Sequence, residues 1–278
     1  MQRCGKCDVE FEKKKTLEQH IQYIHKSDFP STKKILILGG GFGGVNILRE
    51  IQNMFQDKVN VEISIVNQNN FFLFTPMLPE VASGMIHPRD ISIPIRTFCK
   101  RAKFYQAEVS SIDLDQRLVT ISRLFDGKVH ALEYDYLIIS LGSVTNFFGN
   151  EKLEKHSFTI KSIEDAIGIR NHSINMLENA GQTSDPDLQQ KLMTFTVVGG
   201  GFAGVETIGE LNHLVREAAS RMYPNIKTEK INMVLVSSRK GILPEVSESL
   251  SKKAMKYLKN HGVRVITNTK AVDADEDY

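Results

Sequence analysis

Residues 35–45 read ILILGGGFGGV, and this stretch decides the fold of the chain. Its four consecutive apolar residues are too few for a helix but enough for a buried strand of a parallel sheet. They lead directly into glycines with the spacing G-x-G-x-x-G. Gly39 permits a tight turn, Gly41 lets the backbone approach a pyrophosphate, and Gly44 lets the next helix pack close to the strand. The unpaired N–H groups of that helix would then face the phosphates.

The same pattern occurs a second time. Residues 194–205 read TFTVVGGGFAGV, again a strand, three glycines and a helix start. One copy alone is also compatible with a glycine-rich turn that binds nothing, but a matched pair predicts two dinucleotide sites, one for a flavin and one for a nicotinamide. The fold class is therefore α/β, with two Rossmann-like FAD/NAD(P)-binding domains in tandem. The candidate cofactor-binding residues of the two turns are Gly39, Gly41, Phe42, Gly43, Gly44, Gly199, Gly201, Phe202, Ala203 and Gly204.

A small module precedes the first domain. Cys4, Cys7, His20 and His25 follow the pattern C-x2-C-x12-H-x4-H, which suits one tetrahedral zinc ion. Residues 2–26 resemble C2H2 zinc fingers, so we expect a ββα finger over residues 1–27 that binds Zn²⁺ and needs it to fold. A single finger reads only about three base pairs. A docking role is therefore favoured over contact with nucleic acid.

Length and composition limit the remaining possibilities. The chain has 278 residues and a formal net charge of +2, which suits two ordinary domains plus a small module and predicts no broad polyanion-binding surface. No apolar run approaches the length of a spanning helix, and the first residues lack the apolar segment of a secretory signal. Three cysteines do not make a disulfide framework. We expect a cytoplasmic protein without a transmembrane segment.

Two strand ends after the first turn carry candidate residues. Strand 61–66 ends at Asn67, where an acidic residue normally binds the ribose, followed by Gln68. Asn67 can still accept a hydrogen bond, but without charge assistance. The segment 69–78 then reads NNFFLFTPML.

With the two glycine turns, this segment resembles the two-dinucleotide flavoproteins, and most of all the type II NADH:quinone oxidoreductases. The resemblance implies that Thr75 and Pro76 border the flavin ring, that Val109 meets the adenine, and that Gly142 and Ser143 approach the flavin pyrophosphate. An aromatic loop packed on its own core and an ordinary strand end are the alternatives for these positions.

The second domain has its own candidates. Ser162 and Asp165 resemble a capping box that starts a helix. Strand 234–236 ends at Ser237, where NADH-specific relatives carry an acid, and the nearby Arg239 is compatible with a 2′-phosphate, so NADH and NADPH both remain open. By resemblance, Glu206 is the catalytic candidate, which would order the hydride donor or relay a proton. A helix-terminal acid without a chemical role is the alternative.

The resemblance covers residues 33–278 and implies an FAD-dependent NAD(P)H dehydrogenase that passes hydride to flavin and on to a quinone-like acceptor. We expect an FAD domain over 33–155 and an NAD(P) domain over 156–278, both lacking C-terminal parts that relatives have. A partner chain or homodimer would then complete the flavin site, and peripheral attachment to the cytoplasmic face of the membrane is an alternative location. A non-catalytic or split-enzyme fragment and a redox-sensing zinc-finger adaptor are the competing functions. Enzymes that use a cysteine pair are disfavoured, because Cys99 is the single cysteine outside the finger.

Overall fold

In the computed structural model, residues 2–3, 10–16, 19–20 and 32–275 are described. The chain forms two compact units, Met1–Phe72 with Pro94–Gly142 and Leu73–Ile93 with Ser143–Tyr278. The sequence predicts two continuous domains, 33–155 and 156–278, whereas the segment Leu73–Ile93, which contains Thr75 and Pro76, groups with the second unit. The reason is its packing: Leu78, Val81 and Ile91 are buried in the core of that unit.

The first unit is built on a six-stranded sheet. The strands of this sheet are β3 (Lys33–Leu38), β4 (Val61–Asn67), β7 (Lys103–Asp113), β8 (Leu118–Arg123), β9 (Val129–Glu133) and β10 (Tyr136–Ile139). They lie in the order β10-β3-β4-β7-β8-β9. Strands β10, β3, β4 and β7 are mutually parallel, and β7, β8 and β9 form an antiparallel meander. The N-terminal strands are β1 (Gln2–Arg3) and β2 (Glu10–Phe11), and the chain crosses between the units within β5 (Phe71–Leu73) and β6 (Ser92–Pro94).

Strand β3 is buried on both faces, which explains its unbroken apolar run. Ile37 packs against Leu48 of helix α1 (Phe42–Met54), on one face of the sheet. Leu36 and Leu38 belong to a cluster that includes Val119 and other residues of the meander. The prediction of a buried parallel strand at residues 35–38 is therefore confirmed.

The N-terminal module is described only in part. Strands β1 and β2 pair antiparallel, with Arg3 opposite Glu10. The ring of Phe11 lies 4.8 Å from that of His20. Three of the four proposed zinc ligands (Cys4, Cys7 and His25) lie outside the described residues. Among the residues that are described, no cluster of three or more metal-binding side chains occurs, and zinc binding stays a prediction.

The second unit contains a three-stranded parallel sheet in the order β11-β12-β13, flanked by helices. Its strands are β11 (Thr194–Val198), β12 (Asn232–Val236) and β13 (Val263–Ile266). Its helices are α2 (Leu78–Ser83), α3 (Glu151–Lys155), α4 (Ile163–Gln182), α5 (Pro186–Leu192), α6 (Phe202–Met222) and α7 (Glu248–Asn260). None of the helices in the described part of the chain has the length and hydrophobicity that crossing a membrane requires.

The predicted capping box starts helix α4. The Ser162 hydroxyl accepts a hydrogen bond from the Asp165 amide at 3.0 Å, and the Asp165 carboxylate accepts one from the Ser162 amide at 3.2 Å. This reciprocal pair satisfies two amides that the helix leaves without partners, so the start of α4 is determined locally.

Candidate dinucleotide sites

The first glycine turn follows β3, and two of its glycines are required by the fold itself. Gly39 has a φ of +100°, and its amide donates to the Val66 carbonyl at 2.8 Å. A Cβ added at Gly44 would overlap the carbonyl oxygen of Gly39 and lie 3.5 Å from a methyl carbon of Ile37. Gly44 therefore lets α1 pack tightly on β3, the role expected from its place in the motif.

Gly41 is different, because nothing in the protein requires a glycine there. It is the N-cap of α1, with φ −82° and ψ −164°, which any residue can adopt. No atom lies within 4 Å of a Cβ added at this position, and no side chain caps the helix. The helix N-terminus is exposed, has no side-chain cap and has free space next to it, so its unpaired N–H groups could bind a phosphate group.

Three strand ends meet at this turn. The Asn67 side-chain oxygen accepts a hydrogen bond from the Gly40 amide at 2.8 Å, and its side-chain nitrogen donates to the Asn69 carbonyl at 2.8 Å. From β10, the Ser140 hydroxyl oxygen would lie 2.5 Å from a Cβ added at Gly43. Asn67 thus holds the glycine turn in place, which is a structural role beside the predicted contact with ribose.

The other candidate cofactor-binding residues of the first unit differ in exposure. Gln68 is exposed next to Asn67, and Val109 is half-buried at a bulge of β7. Gly142 has a φ of +77°, with no atom within 4 Å of an added Cβ. The parallel pairing of β3, β4 and β10 brings the glycine turn, Gln68 and Gly142 to the same edge of the sheet. Their roles as cofactor ligands stay predictions.

The second glycine turn repeats this geometry after β11. Gly199 has a φ of +126°, and its amide donates to the Val236 carbonyl at 2.8 Å. A Cβ added at Gly204 would overlap the Gly199 carbonyl oxygen. Gly201 is the N-cap residue of α6, with φ −80° and ψ −176°, and no side chain caps this helix. No atom lies within 4 Å of a Cβ added at Gly201. In both turns the first glycine has a positive φ, the third lets the helix pack closely on the strand, and the middle glycine leaves space open.

Ser237, at the end of β12, is turned inward. It is 2% exposed, its hydroxyl donates to the Gly241 carbonyl at 2.9 Å, and it accepts a hydrogen bond from the Arg239 amide at 3.3 Å. A Cβ added at Gly200 would lie 2.5 Å from the same hydroxyl oxygen. Ser237 therefore packs against the glycine turn at Gly200, whereas the Arg239 side chain is exposed to solvent.

Glu206 lies near the start of α6, just beyond its first turn, which contains no acidic residue. Partial burial and the negative charge of Glu80 together raise the pKa of its carboxyl group. Glu80 belongs to α2, and one of its carboxylate oxygens is buried without a hydrogen-bond partner. One turn further along both helices, the Ser83 hydroxyl donates to the Glu210 carboxylate at 2.6 Å. The packing of α2 on α6 thus brings Glu80 close enough to Glu206 for its charge to act on that carboxyl group.

Sequence reasoning did not single out Glu80. The residue follows Thr75 and Pro76 closely in the sequence, but its electrostatic effect on Glu206, 126 positions later, depends on tertiary packing. Thr75 and Pro76 themselves are exposed in a 3-10 turn, Thr75–Met77, of the second unit. Ser143 also belongs to the second unit, where its hydroxyl accepts a hydrogen bond from the Lys161 ammonium group at 3.3 Å.

Comparison with known proteins gives the family. A family model described as pyridine nucleotide-disulphide oxidoreductase matches residues 33–278. The chain belongs to this family. Among its relatives, it is 30% identical over 251 residues to the type II NADH:quinone oxidoreductase Ndh of Mycobacterium tuberculosis, covering 89% of this chain and 53% of that protein. It is 28% identical over 273 residues to the external alternative NAD(P)H-ubiquinone oxidoreductase B1, mitochondrial, of Solanum tuberosum, covering 94% of this chain and 46% of that protein.

Solved structures agree with this assignment. The structure of NDH2 from Plasmodium falciparum in complex with NADH matches with a TM-score of 0.80 and 27% identity, covering 88% of this chain and 50% of that one. The chain thus spans about half the length of the relatives it matches.

Proposed function

We propose that the chain binds FAD at the first glycine turn and a nicotinamide dinucleotide at the second, and that it acts as a type II NAD(P)H:quinone oxidoreductase. The observation that carries the proposal is the pair of middle glycines. Gly41 and Gly201 are each the N-cap residue of a helix, and no protein atom lies within 4 Å of a Cβ added at either position. The protein itself therefore requires no glycine at either position. The names of the relatives support the choice of a nicotinamide donor and a quinone acceptor.

The residues present fit these two ligands. The turn 40–44 would hold the FAD pyrophosphate, with Asn67 fixing the turn through the Gly40 amide. The turn 200–204 would hold the nicotinamide dinucleotide in the same manner. A bound flavin would supply the acceptor for a hydride from the reduced nicotinamide and the means to pass electrons on. The protein's own share is to position both dinucleotides and to supply or hold protons.

Glu206 is proposed to hold such a proton. Because burial and Glu80 raise its pKa, the carboxyl group keeps its proton to higher pH than an exposed glutamate does. Reduction of a quinone consumes protons, and a carboxyl group with a raised pKa is a suitable donor.

Within residues 33–278, Cys99 is the single cysteine. It is half-buried, and burial raises the pKa of its thiol, which lowers its reactivity. This stretch therefore lacks the cysteine pair that reduction of a disulfide by the protein would use. The observation favours a quinone-like acceptor.

Binding measurements on matched variants test the two sites. Gly41→Ala and Gly201→Ala are each compatible with the backbone and contact nothing in the protein, so each should block only its own ligand. We expect Gly41→Ala to lose FAD binding and keep binding of the nicotinamide dinucleotide, and Gly201→Ala to do the reverse. Gly209→Ala, a glycine of α6 that also has no neighbour within 4 Å, should leave both affinities unchanged. Equal loss of both ligands in either variant would contradict the assignment.

We also propose that residues 1–27 form a zinc finger with Cys4, Cys7, His20 and His25 as ligands. The ligand spacing supports this, as does the antiparallel pairing of β1 and β2. The finger would serve as a docking module for another protein. Zinc analysis of the purified chain should give one ion per chain, and Cys7→Ser should abolish it. A metal content unaffected by that substitution would contradict the proposed site.

Because quinones dissolve in membranes, the proposal includes peripheral contact with the cytoplasmic face of a membrane. It also includes a partner chain or a second copy that completes the flavin site. A flotation assay with quinone-containing vesicles, run beside a molar-mass measurement in solution, checks both points. A monomer that stays away from vesicles would contradict both.

A further inference from the structure

The second glycine turn has an unusual neighbour at the end of β12. A carboxylate at this place would accept a hydrogen bond from the 2′-hydroxyl of an adenosine ribose and would repel a 2′-phosphate. This chain has Ser237 there instead, and both hydrogen-bonding functions of its hydroxyl are used within the loop. Because it is also almost fully buried, Ser237 offers the ribose no acceptor.

The exposed side chains of the following loop are Ser238, Arg239 and Lys240. The loop backbone is fixed, since the Asn268 amide donates to the Arg239 carbonyl at 2.9 Å and the Thr269 amide donates to the Ser237 carbonyl at 3.0 Å. Within residues 32–275, no carboxylate oxygen lies within 4.0 Å of a nitrogen of the Arg239 guanidinium group. A fixed loop thus presents two cations and a hydroxyl beside the second turn.

These groups match a phosphate in charge and in hydrogen bonding. A guanidinium group donates two parallel hydrogen bonds to phosphate oxygens, and such charge-assisted bonds are stronger than neutral ones. A 2′-hydroxyl gains nothing comparable from an arginine. The difference between the two nicotinamide dinucleotides at this place is one phosphate.

We propose that the second turn binds NADPH in preference to NADH, with Arg239 contacting the 2′-phosphate. The inference rests on the proposed function, because it requires a nicotinamide dinucleotide at that turn. It deepens the proposal by naming which dinucleotide is the donor and which side chain selects it.

Calorimetric titration of the full chain with NADP⁺ and with NAD⁺ tests the inference without any turnover. The wild type should bind NADP⁺ more tightly by about tenfold or more, because the 2′-phosphate gains a charge-assisted hydrogen bond from the guanidinium group. Arg239→Gln should remove most of this preference while leaving the affinity for NAD⁺ within about twofold. Arg264→Gln removes an exposed arginine from β13, near the start of the strand, and should leave the preference intact.

The outcomes separate the inference from the function it rests on. Binding of NAD⁺ as tight as that of NADP⁺ in the wild type would overturn the inference and leave the proposed function standing. So would equal weakening of both ligands by Arg239→Gln. If neither nucleotide binds to the folded chain, the proposed function fails, and the inference fails with it.

Discussion

Helix α6 contains two glycines whose replacement by alanine should change stability in opposite directions. A Cβ at Gly204 would overlap the backbone oxygen of Gly199 and lie 3.6 Å from a methyl carbon of Val197, so α6 would have to move away from β11. A Cβ at Gly209 would meet nothing within 4 Å. The pair isolates the packing role of the third glycine in the motif.

The magnitude follows from two terms. Alanine is favoured over glycine within a helix by roughly 0.5–1 kcal/mol, and this gain applies to both positions. Overpacking against a rigid neighbour destabilises by roughly 1–3 kcal/mol and applies to Gly204→Ala alone. The helix term nearly cancels in the comparison. The free energy of unfolding of Gly204→Ala should therefore be about 1–3 kcal/mol below that of Gly209→Ala.

Urea unfolding followed by circular dichroism measures this difference, with the wild type between the two variants. Because the chain has two units, the transition should also be followed by the fluorescence of a probe attached to the second unit. Equal stabilities of the two variants, within about 0.5 kcal/mol, would refute the argument that close helix–strand packing requires Gly204.

Three further predictions concern the second unit. The pKa of Glu206 is raised in the folded chain, so the folded state binds this proton more tightly than the unfolded state does, and stability falls as pH rises above 4.5, the ordinary pKa of a glutamate. Glu80→Gln should lower the pKa of Glu206 and reduce this fall in stability. Carbon NMR of the glutamate carboxyl groups and unfolding at several pH values measure the two effects. Ser162→Ala removes the side chain that caps α4 and should lower the free energy of unfolding by about 1 kcal/mol in urea titrations. Arg216→Met leaves three backbone carbonyls, those of Thr228, Ile231 and Gly262, without this donor and should destabilise by roughly 1–3 kcal/mol or more, measured in the same way.

A specific result would contradict each of these three predictions. Glu210→Gln is the control for the first, because Glu210 is held by Ser83; a Glu206 titration that Glu80→Gln leaves unchanged would show that Glu80 does not act on it. An unchanged stability in Ser162→Ala would mean that water replaces the cap fully. Wild-type stability in Arg216→Met would show that the loop carbonyls find other donors.

The sequence predicts the parts of this fold that are determined locally. The apolar run before Gly39 and the spacing of the three glycines define a strand, a turn and a helix within a dozen residues. The same holds for the capping box at Ser162, whose two hydrogen bonds span three positions.

Features that depend on tertiary packing could not be predicted in this way. No local signal shows that Ser237 turns inward, because its partners are set by the loop that folds back beneath Gly200. The effect of the Glu80 charge on the pKa of Glu206 needs α2 to pack on α6. The inclusion of Leu73–Ile93 in the second unit has the same origin. In each case the pattern names a residue type but not its neighbours.

The visible absorption spectrum of the chain, purified with FAD present and then mixed with NADPH, tests the central claim most directly. Wild type and Gly201→Ala should both carry the flavin bands, and Gly41→Ala should lack them. Addition of NADPH should bleach the bands of the wild type but not those of Gly201→Ala. Flavin bands in Gly41→Ala, or bleaching of the Gly201→Ala bands by NADPH, would contradict the assignment of the two turns to the two dinucleotides.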